Sequence, residues 1–159
     1  MSELAEYPDL TPDQALVWKR FQTATGEQAT GPRYVDAFAD TPELQDELAG
    51  LVISGRKRAT ATLARWFTPD TLPRVGDLLL VLDGRQNPVC VVRTTRVRIG
   101  PVSSVTQEDA FEEGEGDRTR ETWLADHRAF FQREASREGF DYADTLDVVF
   151  ERFECVWAG

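Results

Sequence analysis

The chain has 159 residues, a net charge of −10, 41% hydrophobic and 29% charged residues, the make-up of one soluble globular domain. A pI near 4.6 argues against tight, sequence-independent binding to duplex or long RNA, which needs several phosphate-neutralising cations. One histidine, His127, excludes a multi-histidine metal site, and no stretch approaches the roughly 18 consecutive apolar residues of a membrane span.

The acidic, polar first ten residues read as a flexible lead with no secretory signal. Thr11-Pro12-Asp13-Gln14 starts a helix: threonine as N-cap, proline in the first turn, glutamine three residues on. That helix is expected to run through Trp18 and Phe21 to about Ala24. Gly26 to Pro32 is a loop, and Tyr34, Phe38 and Ala39 form a short extended piece. Thr41-Pro42-Glu43 repeats the cap-plus-proline start, and Leu44, Leu48, Leu51 and Val52 form an apolar helical face. Gly55 ends this second helix, since glycine adopts positive φ without steric cost.

Three cations follow in a chain of opposite net charge: Arg56, Lys57 and Arg58. Arg58 to Phe67 is the first strand, with Ala59, Ala61 and Leu63 on one face and Arg58, Thr60 and Thr62 on the other. Side chains three apart in a strand point to opposite faces. Lys57 and Thr60 can therefore share a pocket only if Lys57 sits in the turn. Leu78 to Leu82 and Val89 to Ile99 are strands joined by a hairpin loop, with Arg96 and Arg98 on one face of the second. Such a face is either a charged guard against edge pairing or a phosphate-facing edge. Thr106 to Phe111 reads as a short helical turn, Glu112 to Gly116 as an acidic glycine-rich loop. Asp117 is expected to cap a helix reaching about Ser136, with Trp123, His127, Phe130 and Phe131 at core spacing. Val148 to Trp157 closes the chain as a strand. Cys90 and Cys155 lie in apolar runs and read as buried thiols of a cytoplasmic protein.

Two motifs together carry a resemblance. Gly55-Arg56-Lys57-Arg58-Ala59-Thr60 after an apolar helix has the G-x-K-x-x-T pattern. Far downstream, Glu113-Gly114-Glu115-Gly116-Asp117 is followed by Trp123, His127 and Phe130-Phe131. This pair resembles a bacterial branch of the ASCH domain superfamily, related to the PUA RNA-binding fold, over about residues 44–157. The resemblance implies an α+β fold, a small curved β-barrel covered by helices. Residues 1–159 then form a single domain, with 1–40 as an N-terminal helical extension packed on it.

The resemblance also implies a site. Lys57, Thr60 and Glu113 fall on the positions of a catalytic trio in the branch that hydrolyses acetylcytidine, with Glu112 or Glu115 reachable by a small register slip. Threonine is a poor nucleophile until a base takes its proton. A lysine serves as that base only when burial or nearby cations favour its neutral amine. Arg56 and Arg58 push in that direction and Glu113 opposes them, while a glutamate can protonate the departing amine. Arg56, Arg58 and Glu115 are candidate substrate-binding residues, and Trp66 and Trp123 are candidates for stacking a base.

The leading expectation is hydrolysis of the amide of an acylated cytidine-like pyrimidine, with no cofactor and no metal. Two alternatives stand beside it: a ribonuclease acting on single-stranded RNA, and a non-catalytic RNA- or nucleotide-binding module. The partner in each case is a nucleoside, nucleotide or single-stranded RNA, not a membrane.

Overall fold

The computed structural model describes residues 7–159, so the lead expected over residues 1–10 lies largely outside the described residues. The helices are α1 (Pro12–Thr25), α2 (Pro42–Ile53), α3 (Gln107–Glu113) and α4 (Arg120–Glu138). The strands are β1 (Tyr34–Asp36), β2 (Ala59–Leu63), β3 (Leu78–Leu82), β4 (Pro88–Pro101) and β5 (Asp147–Ala158). They form one mixed sheet in the order β1-β3-β4-β5-β2, and the fold is α+β with the expected N-terminal helix. The chain packs as two compact units, and the long strands β4 and β5 each pass through both.

The first unit comprises residues 7–55, 76–94 and 154–159. Its first helix begins as the sequence predicts. The Thr11 hydroxyl accepts from the Gln14 amide, the Gln14 side chain accepts from the Thr11 amide, and Gly26 ends the helix at φ 77. Trp18 and Phe21 turn inward from α1 onto Leu78, Leu80 and Val91. β1 runs parallel to β3, and β3 runs antiparallel to the start of β4. The hairpin between β3 and β4 is pinned by Gly84, whose amide donates to Asp46 of α2 at 2.7 Å. A Cβ at Gly84 would lie 2.0 Å from the Pro42 carbonyl oxygen, so only glycine fits. Cys90 is buried, but Cys155 is only half-buried, its Sγ donating to the Trp157 carbonyl at 3.5 Å.

The second unit comprises residues 56–75 and 95–153. β2 pairs antiparallel with β5, placing Thr60 opposite Glu151 and Ala59 opposite Arg152. Its core gathers Leu63, Val102, Trp123, Phe131, Val148 and Phe150. Three boundaries differ from expectation. β2 is shorter than predicted, because Ala64–Trp66 tightens into a 3₁₀ turn. α3 runs on to Glu113: a Thr106–Asp109 capping box starts it and Gly114, at φ 72, stops it. α4 is capped by Thr119 rather than Asp117, whose carboxylate instead accepts from Thr119 and Thr122. Among the described residues no helix is long and apolar enough to cross a membrane.

Phe21 is 1% exposed, so Phe21→Ala removes a fully packed ring. We expect a loss of about 3–5 kcal/mol in urea unfolding; a loss below about 1 kcal/mol would show that α1 is not part of that core.

Candidate active site

Gly55, at φ 80, turns the chain out of α2, and Lys57 lies in the irregular stretch between that turn and β2; it is not among the residues that line the cleft beside Thr60. Its side chain is buried and folds back along the strand. Nζ donates to the Ala59 carbonyl at 2.8 Å, to the Glu115 carboxylate at 2.9 Å and to the Glu113 carbonyl at 3.5 Å. The Glu113 carboxylate itself stands 3.8 Å away. An ammonium taken out of water is tolerated only where acceptors replace its hydration shell, and these four groups do so.

Glu113, the last residue of α3, is 4% exposed. Its Oε2 accepts a hydrogen bond from Trp123 Nε1 of α4. Burial pushes its carboxyl up to about 8, against the pull of the Lys57 charge. Stability contributed by the protonated carboxyl is therefore complete below the ordinary carboxyl range and is lost as pH rises through about 8. His127 stacks on Trp123 with ring centroids 3.8 Å apart. Its Nδ1 faces the Trp123 carbonyl at 2.9 Å, which can only accept, so Nδ1 carries the proton. Burial lowers the His127 pKa, and Nε2 then presents a lone pair towards Glu113 Oε2, 3.6 Å away.

Thr60 of β2 and Glu113 line one cleft, together with Ala59, Arg96, Arg98, Asp109, Phe150, Glu151 and Arg152. The Thr60 hydroxyl makes no hydrogen bond with the other described residues. Asp109 anchors the opposite wall, accepting from Arg98 at 2.6 Å and from Arg152 at 3.3 Å. Burial opposes its ionisation, but hydrogen bonds from Thr106 and Arg152 and the Arg98 charge hold its carboxyl below the usual range.

The ASCH domain family matches residues 34–157. The chain belongs to the ASCH domain family. The fold is similar to the crystal structure of an ASCH domain from Lactobacillus crispatus JV V101, 26% identical with a TM-score of 0.84, covering 92% of this chain and 96% of that one. It is also similar to a protein from Enterococcus faecalis V583, 29% identical with a TM-score of 0.82, covering 91% and 88% respectively. No curated protein matches the chain in sequence.

Within this ASCH domain the other residues singled out in the sequence take varied places. Arg56 donates to the Gly114 and Gly116 carbonyls at 2.8 and 3.2 Å, clamping the turn after α3. Arg58 forks onto Glu112 at 2.9 and 3.2 Å, and the Arg58 amide donates to the Glu112 carbonyl. Glu115 caps the Lys57 ammonium. Trp123 is 5% exposed, with one face covered by His127 and its N–H given to Glu113. Trp66 packs edge-on against Phe130 and Phe131 and donates to Glu138 at 2.8 Å. Neither tryptophan lines the cleft. Asp109, Arg98 and Arg152 belong to no motif; only the shared face of Arg96 and Arg98 on β4 hinted at them. Among the described residues no group of three or more His, Cys, Asp or Glu is arranged to hold a metal ion.

Gly114 carries the tightest constraint at the site. At φ 72, its Cβ would lie 2.3 Å from the Arg56 carbonyl oxygen and 2.9 Å from the Lys57 amide nitrogen. Gly114→Ala is expected to destabilise by more than the roughly 1–3 kcal/mol of a strained φ alone, because backbone must also move. Thermal unfolding checks this, and a variant as stable as the parent would contradict the close approach.

Proposed function

We propose that this ASCH domain hydrolyses the amide of an acylated cytidine-like pyrimidine, with Thr60 as nucleophile, Lys57 as its base and Glu113 as the acid. The observation that carries the reading is Glu113, a buried carboxyl pushed up to about 8 beside a buried lysine, lining one cleft with Thr60. Titratable groups perturbed by burial and a specific partner in a cleft are candidates for acid–base work.

The working form is the pair in which Lys57 is the amine and Glu113 the carboxylic acid, reached when the Lys57 ammonium gives one proton to solvent while Glu113 keeps its own. Lys57 Nζ takes the Thr60 proton as Oγ1 attacks the acyl carbonyl. The tetrahedral adduct collapses, its C–N bond breaks, and Glu113 gives its proton to the departing exocyclic amine. Water then attacks the threonyl ester with Glu113 as base. The acid departs, Lys57 returns the proton to Thr60, and the starting protonation is restored. Glu115 and the Ala59 carbonyl hold Nζ in place throughout.

Release of cytidine from a panel of acylcytidines, run beside single-stranded RNA, tests the proposal. Turnover of an acylcytidine is expected; RNA cleavage without amide hydrolysis would replace this reading with a ribonuclease. Thr60→Ala and Lys57→Ala should each abolish turnover, and the double variant should be little worse, because the residues act as a unit. Thr60→Ser should retain part of the activity, whereas full activity in Lys57→Arg would remove the base assignment. The rate should rise with pH towards about 8, as the Lys57–Glu113 pair gives up the first of its two protons; a rate already at its maximum at pH 5 would rule out this pair as the acid–base unit.

A further inference from the structure

Arg96 lies on β4 at the rim of the cleft, exposed, and makes no ion pair among the described residues. Its two neighbours are differently placed. Arg98 is fixed by Asp109 at 2.6 Å and by the Ser104 hydroxyl at 3.0 Å, and its guanidinium lies 4.1 Å over the Phe150 ring. Arg152 is fixed by Glu108 at 2.9 Å and by Asp109 at 3.3 Å. A guanidinium carries five N–H donors, so both fixed arginines keep donors beyond those their carboxylate partners use. Three cations thus border a cleft in a protein whose net charge is −10. Of the acidic groups lining the cleft, Asp109 is shared by Arg98 and Arg152 and burial raises the Glu113 pKa to about 8; Glu151 lines it too, and the Arg96 charge also acts on Glu108. Glu151 faces Thr60 in the strand register.

We propose that the arginine side of this cleft binds the terminal phosphate of a mononucleotide, with Arg96 as the principal anchor and Arg98 and Arg152 as prealigned supports. The proposal deepens the acylcytidine reading: the substrate class is the cytidine nucleotide, its base towards Thr60 and Glu113, its phosphate towards Arg96. A phosphate monoester accepts paired N–H donors from a guanidinium fork, and arginine is the residue suited to that geometry. The overall negative charge disfavours a polyanion more than a single phosphate.

Isothermal titration of the full chain with cytidine, cytidine 5′-monophosphate and a cytidine trinucleotide without terminal phosphates tests this. The monophosphate should bind at least about tenfold more tightly than cytidine, and the advantage should shrink as salt rises. Arg96→Gln should remove most of that advantage, and Arg96→Lys should keep only part of it, since lysine supplies charge without the fork. Arg96 is exposed, so neither substitution disturbs the core. Equal affinity for cytidine and its monophosphate, binding of neither, or an advantage that survives Arg96→Gln would overturn the proposal. So would a trinucleotide that binds more tightly than the monophosphate. The two readings fail separately. Arg96-dependent binding without amide hydrolysis removes only the catalytic reading, and hydrolysis with equal affinities removes only the phosphate site.

Discussion

An ammonium buried among two glutamates and two backbone carbonyls ties three separated parts of this chain into one site. Lys57 comes from the entry to β2, Glu113 from the end of α3, and Glu115 from the loop that follows. Each needs the others. Lys57 without Glu115 would be a cation stranded in a dry interior, and Glu113 without Lys57 and Trp123 would be a carboxyl with unmet oxygens. The remaining arrangement secures this meeting. Arg56 and Arg58 hold the end of α3 and its loop against the start of β2, and Gly114 allows the two backbones to come close enough.

Much of the fold was legible because it is written in local chemistry. Threonine-proline starts at Thr11 and Thr41 gave the first two helices, and glycines in the left-handed region at Gly26 and Gly139 stopped α1 and α4. The errors fall where two residues offer the same local solution. α3 runs past the expected end at Phe111 to Glu113, because Gly114 rather than the whole acidic stretch is the stop, where its backbone packs against Arg56. Asp117 and Thr119 can each cap a helix, and the sequence does not say that one will serve the other. In α4, Trp123 and His127 share a spacing that suits both a core stripe and a binding face. Burial behind Glu113 made them the inner wall of the site, a role that depends on partners distant in sequence.

The electrostatics divide in the same way. A net charge of −10 described the molecule's surface as a whole, but not the small region where three arginines share a cleft with Asp109, Glu113 and Glu151. Arg152 and Asp109 meet only because β5 lies next to β2 and α3 packs above them, which no spacing rule conveys. Buried polar networks are costly when incomplete. Among the described residues this one leaves no buried side-chain nitrogen or oxygen unpaired, as a preorganised acid–base site requires.

The claim on which the mechanism stands is that Glu113 is a carboxylic acid, not a carboxylate, at neutral pH. Titration of its side-chain carboxyl by ¹³C nuclear magnetic resonance, with the signal assigned by its disappearance in Glu113→Gln, measures this directly. A midpoint near 8 is expected. A midpoint in the ordinary glutamate range, about 4–5, would mean that Glu113 is a charged partner of Lys57 and holds no proton to give.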